Sequence, residues 1–146
     1  MVVIQNIIND ATLDQEKLKL TCQQFMQEFG VGDRELVVRL VSPREIQDLN
    51  KEYRSKNQIT NVLSFVSDIP LEIGESILGD VVICVDVVRE EAELGGKVFS
   101  DHLIHIAIHG ILHLLGYDHG DLPSANKMEG IEIKFLKKIG INNPYQ

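Results

Sequence analysis

The sequence predicts an α/β (α+β) fold, a single domain over residues 1–146 in which a mixed four-stranded sheet is packed with about five helices. Three observations lead there. The chain has 146 residues, of which 44% are hydrophobic, enough for one sizeable core. Short β-branched runs fall in its first 85 residues, interleaved with segments of helical period. Beyond Asp86 the pattern is helical alone, so the expected order is β-α-β-α-β-β-α-α-α.

Val2 to Ile8 is rich in Val and Ile and reads as a strand. Thr12 or Asp14 can cap a helix to about Phe29, with Leu18, Cys22, Phe25, Met26 and Phe29 on its apolar face and Gly30 as its stop. Glu35 to Val41 is the second strand. Ser42-Pro43-Arg44-Glu45 has the form of a capping box with proline at the first helical position, and its helix fades near Arg54. Ser55 to Thr60 is a polar loop, Asn61 to Val66 the third strand, and Asp68 to Ser76 a surface connection. Ile77 to Val85 is dense in Val and Ile, as in a strand buried on both faces. A helix from Asp86 to about Leu94 stops at Gly95-Gly96. Ser100 or Asp101 caps the next helix, and the last runs from about Pro123 to Lys138 with Met128, Ile131, Phe135 and Leu136 inward.

The formal net charge of −8 counts against a broad phosphate-binding surface, which Lys and Arg would have to supply. A local basic patch remains compatible with it. No apolar run reaches the roughly 18 residues of a membrane span, so no membrane contact is expected. The start, Met1-Val2-Val3-Ile4-Gln5-Asn6, lacks the features of a signal peptide, and a cytoplasmic location is the expectation. Cys22 and Cys84 form no CxxC pair and read as small buried hydrophobes.

Chemistry concentrates in His109-Gly110-Ile111-Leu112-His113-Leu114-Leu115-Gly116-Tyr117-Asp118-His119. Histidines four apart on a helix lie roughly 40° apart and about 6 Å along the axis, so both can reach one ion. A glycine stop at Gly116 lets the chain turn and bring His119 over the same ion. Three neutral imidazoles leave a fourth position open, as catalytic zinc sites do. Zinc is the first expectation, about one ion per chain, though nickel, copper and iron accept the same donors. His105 extends the stripe by one turn and is expected to hydrogen-bond at the site rim, in contact with substrate. His102 is expected at the surface. Asp118 has two readings, orienting a ligand imidazole or forming the turn after Tyr117. The zinc-protease motif H-E-x-x-H requires a glutamate where this chain has Gly110, which disfavours an ordinary metalloprotease.

A second cluster lies upstream, where Lys51, Arg54 and Lys56 place three cations in a net acidic chain. Arginine at a helix end can present a planar fork to phosphate. Taken alone, a cationic helix C-terminus satisfying the dipole is the plainer explanation.

Together these segments resemble the YbeY family of bacterial endoribonucleases. The matching pieces are Leu49-Asn50 with Tyr53-Arg54 and Lys56, Thr60-Asn61-Val62-Leu63-Ser64-Phe65, Leu78-Gly79-Asp80-Val81-Val82-Ile83, and the histidine block from His105 to His119. The resemblance implies a mixed α/β fold and a metal-dependent hydrolase acting on single-stranded RNA, linked to maturation of the 3′ end of small-subunit ribosomal RNA and to ribosome quality control. It implies zinc ligands at His109, His113 and His119, a functional arginine at Arg54, and a cleft wall from Thr60 to Phe65, with Lys56, Thr60, Asn61 and Ser64 as substrate contacts. A ribosomal partner is expected, since a chain of this charge needs help to meet RNA. The nucleophile is open between water at the ion and a ribose 2′-hydroxyl. The rivals are a metal hydrolase of another class, such as a divergent peptidase, and a non-catalytic ribosome-assembly factor with a structural metal.

Overall fold

The computed structural model describes residues 1–67 and 77–146, and the expected connection from Asp68 to Ser76 lies outside them. Among the described residues there are four strands and five helices, in the order β1 (Val2–Asn6), α1 (Gln15–Glu28), β2 (Glu35–Val41), α2 (Pro43–Arg54), β3 (Val62–Val66), β4 (Ile77–Cys84), α3 (Val85–Leu94), α4 (Phe99–Leu114) and α5 (Leu122–Lys138). The sheet order is β1-β2-β4-β3. β1 and β4 each pair parallel with β2, while β3 runs antiparallel to β4. The expected mixed sheet and element order are both present.

Local chemistry accounts for the boundaries. Asp14 caps α1, its carboxylate accepting from Lys17 N at 3.1 Å. Ser42 Oγ accepts from Glu45 N at 3.2 Å, with Pro43 in the first turn of α2. The Glu45 carboxylate turns instead to Arg39, 3.6 Å away on the sheet. α4 differs from expectation. It begins at Phe99 after an N-cap at Val98 that offers no side-chain bond, so neither Ser100 nor Asp101 caps it. Asp101 lies in the first turn, where its charge complements the helix dipole.

The sheet buries its two faces unequally. The smaller side holds Ile46 of α2 with Val41, Leu63, Val82 and Cys84, flanked by Leu49 and Phe65. The larger side is organised by α4, which packs against β3, β4, α1, α3 and α5. Leu36, Val38, Val81 and Ile83 from the sheet meet Ala107, Ile108, Ile111 and Leu112 of α4 there, with Phe25 and Met26 of α1 and Met128 and Leu136 of α5. Alternate residues of β4 therefore serve different cores, which is why the strand reads as continuously apolar. Both cysteines are free and buried, and burial pushes the Cys22 thiol up to about 12.

α4 comes so near the sheet because residue 110 has no side chain. A Cβ at Gly110 would lie 2.6 Å from Val81 Cγ1 and 3.2 Å from Ser64 Oγ. Ser64 Oγ also donates to the Gly110 carbonyl at 2.8 Å, tying β3 to α4.

Gly110→Ala is expected to lower stability by about 1–2 kcal/mol, because overpacking outweighs the gain in helix propensity. Val81→Ala in the same chain removes the obstructing methyl groups. Urea unfolding of the double variant should then show less than the sum of the two single losses.

Candidate metal centre

His109 and His113 sit on successive turns of α4, and Gly116 carries the third histidine round to them. Gly116 has φ +96°, its N–H bonds to the His113 carbonyl at 3.1 Å, and Tyr117 N bonds to the Leu112 carbonyl at 3.0 Å. These are the two bonds of a Schellman motif, which closes the helix and reverses the chain. His119 follows, with its backbone N–H held by Asp118 Oδ1 at 2.7 Å. The ligand nitrogens of His109, His113 and His119 all lie within 4.8 Å of one another.

The donor chemistry fits a metal ion. His109 Nε2 and His113 Nε2 face each other at 3.2 Å, an approach that suits two lone pairs converging on one cation. Burial, and after it the neighbouring His109 and His119, lower the pKa of His113, favouring the neutral form that a metal takes. His109 and His113 are half-buried and His119 is exposed, so the site is open on one side.

Sequence reasoning missed the acidic group packed behind this site. Glu132 of α5 is 0% exposed and lies below the histidines. Its carboxylate accepts from His105 Nε2 and, at 3.4 Å, from His109 Nδ1. A proton on His109 Nδ1 leaves Nε2 free to bind metal, as in carboxylate–histidine–metal arrangements. Burial pushes the Glu132 carboxyl up, but bonds from His105 and then His109 more than offset it, holding it at about 2 against 4.5 for a free glutamate. A signal was available, since Glu132 is four residues from both Met128 and Leu136 on the inward stripe of α5.

The other expected residues divide. Arg54, Thr60, Asn61 and Ser64 line a cavity of about 510 Å³ together with His109, His113 and His119. Arg54 Nη2 donates to the Ser64 carbonyl at 2.8 Å, and its guanidinium lies 5.0 Å from the Phe65 ring centre. Asn50 is buried and donates to the Gln58 carbonyl at 2.9 Å, which fixes the loop leading into this wall. Asn61 Nδ2 lies 3.3 Å from both Glu91 oxygens. Lys56 is exposed on the loop and does not line the cavity.

Two placements correct the expectations. His105 is buried beneath the ligands on Glu132 and faces a different cavity, away from the Arg54 cleft. His102 is not at the surface. It is 8% exposed, because Glu91 reaches over from α3 to bond its Nε2 at 3.0 Å. Asp118 takes the turn-forming role, and the carboxylate in contact with a candidate ligand imidazole is that of Glu132.

The sequence profile of the family described as Endoribonuclease YbeY matches residues 3–140 of this chain. A protein named Endoribonuclease YbeY from Ruthia magnifica subsp. Calyptogena magnifica is 56% identical over 145 residues, covering 99% of this chain and 100% of that protein. One of the same name from Alteromonas mediterranea is 46% identical over 129 residues, covering 88% of this chain and 82% of its own. The fold is also similar to that of a Thermotoga maritima protein determined in solution, with TM-score 0.67, 28% identity, and coverage of 95% of this chain and 89% of that one.

Calorimetric titration of zinc into metal-free protein should give one tight site per chain. His113→Ala and His119→Ala each remove a direct donor and should weaken it by more than about 100-fold, the most that losing an outer hydrogen-bond partner costs. His102→Ala should leave it unchanged. A further outcome concerns acid. Because Glu132 titrates lower in the folded protein than in the unfolded one, its stabilisation is complete above about pH 4.5 and is lost as pH falls toward about 2. Urea midpoints of the metal-free protein should fall across that window, and less steeply in Glu132→Gln.

Proposed function

The chain belongs to the YbeY endoribonuclease family, and on that premise we propose that it is a metal-dependent, single-strand-specific endoribonuclease whose cleft holds the phosphodiester between Arg54 and the histidine triad. The observation that carries the reading is that Arg54, His109, His113 and His119 line one cavity.

Zinc suits three imidazoles and no thiolate, and when bound it supplies Lewis acidity at a phosphoryl oxygen. The rest of the chemistry belongs to the chain. Arg54 offers the phosphate its fork and offsets the charge that develops there. Its bond to the Ser64 carbonyl and its stacking over Phe65 hold that fork in the cleft wall, so little orientation is lost when substrate arrives. Thr60, Asn61 and Ser64 supply polar atoms along the same wall. Beside it Tyr53 is 56% exposed and packs edge-on against Phe65 at 5.4 Å. An exposed aromatic ring next in sequence to Arg54 suits an unstacked base, and hence a single strand over a duplex.

The family and the charge support a biological setting as well. We assign the protein to maturation of the 3′ end of small-subunit ribosomal RNA and to ribosome quality control, in the cytoplasm. With net charge −8 it gains little long-range attraction to RNA, which supports delivery by a ribosomal partner. The peptidase alternative is not favoured. The position for a protease glutamate is filled by backbone packed on Val81, and the Arg54 cation has no evident use on a peptide.

Zinc-loaded protein should cleave single-stranded RNA in preference to duplex. Arg54→Ala should cut kcat/KM by about 100-fold or more, the usual effect of removing one charge-stabilising donor, and His113→Ala should abolish cleavage. Equal activity in both variants would mean a contaminating nuclease and would sink the assignment. Resistance of the matching DNA, with a cyclic phosphate end on the RNA product, would identify the 2′-hydroxyl as nucleophile.

A further inference from the structure

A carboxylate without solvent contact has to be satisfied by donors from the protein. Glu132 has three. His105 and His109 come from α4, and the third is the Tyr145 hydroxyl, which donates to Glu132 Oε1 at 2.9 Å. The hydroxyl also lies 3.3 Å from His105 Nε2, and the two rings meet edge-on with centres 5.5 Å apart. Burial, and after it the adjacent Glu132 charge, raise the pKa of Tyr145, so the phenol stays protonated and acts as donor.

Tyr145 reaches this position because the tail beyond α5 is tied down in steps. Ile141 N bonds to the Leu136 carbonyl at 2.8 Å, Lys97 Nζ donates to the Pro144 carbonyl at 2.7 Å, and Tyr145 N donates to Asn143 Oδ1 at 2.9 Å. The ring then closes one side of a cavity of about 240 Å³ that His109, His119 and Met128 also line. The contact from Glu132 to His109, at 3.4 Å, is the longest of the three that hold the carboxylate. It is the first to go if the carboxylate turns.

We propose that Tyr145 is a positioning residue for the metal site, holding Glu132 in the orientation that fixes His109 as its Nδ1–H tautomer. This rests on the reading of His109, His113 and His119 as metal ligands. Without the hydroxyl, Glu132 keeps two imidazole donors and is free to rotate toward His105. His109 then loses its partner at Nδ1, and part of the population carries the proton on Nε2, where metal binds.

The test uses the full chain and cobalt(II) as probe. Chelator competition gives Kd, and long-range 15N–1H spectra of the metal-free protein give the His109 tautomer. Wild type should bind one cobalt ion with a strong visible band and show the Nδ1–H form. Tyr145→Phe should bind about 10-fold more weakly, within the range for outer hydrogen-bond partners of metal-bound histidine, and show mixed tautomers. Removal of Tyr145 and Gln146 should repeat both effects. An unchanged Kd and tautomer in Tyr145→Phe would overturn the proposal while leaving the metal site intact. A weaker Kd with an unchanged tautomer would also overturn it, since the effect would then be general loosening. Failure of wild type to bind cobalt would instead overturn the ligand assignment, and the proposal with it.

Discussion

Where α4 crosses the sheet, the backbone of Gly110 lies so close to Val81 that a single added carbon would stand 2.6 Å from a methyl group. That approach sets the height of α4 over β3 and β4, and with it the height of His109 and His113 over the cleft wall. The same residue's carbonyl takes the Ser64 hydroxyl, so the strand that carries Ser64 and Phe65 is fixed to the helix that carries His109 and His113. Arg54 is tied in turn to the Ser64 carbonyl. Helix, strand and arginine therefore form one rigid series, and a catalytic geometry needs that rigidity more than it needs any one strong contact.

Enclosure has an electrostatic consequence. α4 is covered by the sheet and three helices, yet it carries four histidines, and each must be satisfied or shifted. Two acidic residues on neighbouring helices each take ring nitrogens, reaching His102, His105 and His109 between them. Glu91 of α3 takes His102 and Asn61, linking the start of β3 to the first half of α4. Glu132 of α5 takes His105 and His109, nearer the ligands. A net charge of −8 would hinder phosphate binding further if Glu132 faced the cleft. Glu132 is buried behind the histidines, and the cavity wall presents Arg54, Thr60 and Ser64 instead.

Much of this was legible in the sequence. Strand and helix limits followed from β-branched runs, caps and glycine stops, with β2 matched end to end. The convergence of His109, His113 and His119 followed from the four-residue step and the glycine turn, both local geometry. The misses have a common physical origin in tertiary contact. His102 looked like a surface residue because nothing nearby in sequence shows that Glu91, eleven positions back, closes over it. The missing cap of α4 is of the same kind, since a helix held by packing on every side needs less from its first turn. Glu132 and Tyr145 escaped because their partners lie 27 and 40 positions away from them on α4. An acid on an apolar helix stripe is a legible anomaly, but its partner is not.

The position of the acid also limits what it can do. In the H-E-x-x-H arrangement the glutamate sits one residue after a ligand and faces substrate as a base. Here that position is filled by packed backbone, and the acid enters from another helix on the far side of the imidazoles. Glu132 has no exposed surface, accepts from three donors, and is held near 2 by the histidines beside it. A carboxylate that buried, bonded and acidic has neither access to a substrate proton nor the affinity to take one. What its bonds can do is hold the tautomer and angle of His109. Proton transfer in the cleft has to involve groups on the open side, where His119 and the Arg54 wall face solvent, and this separates the chain's chemistry from that of zinc peptidases despite the shared histidine step.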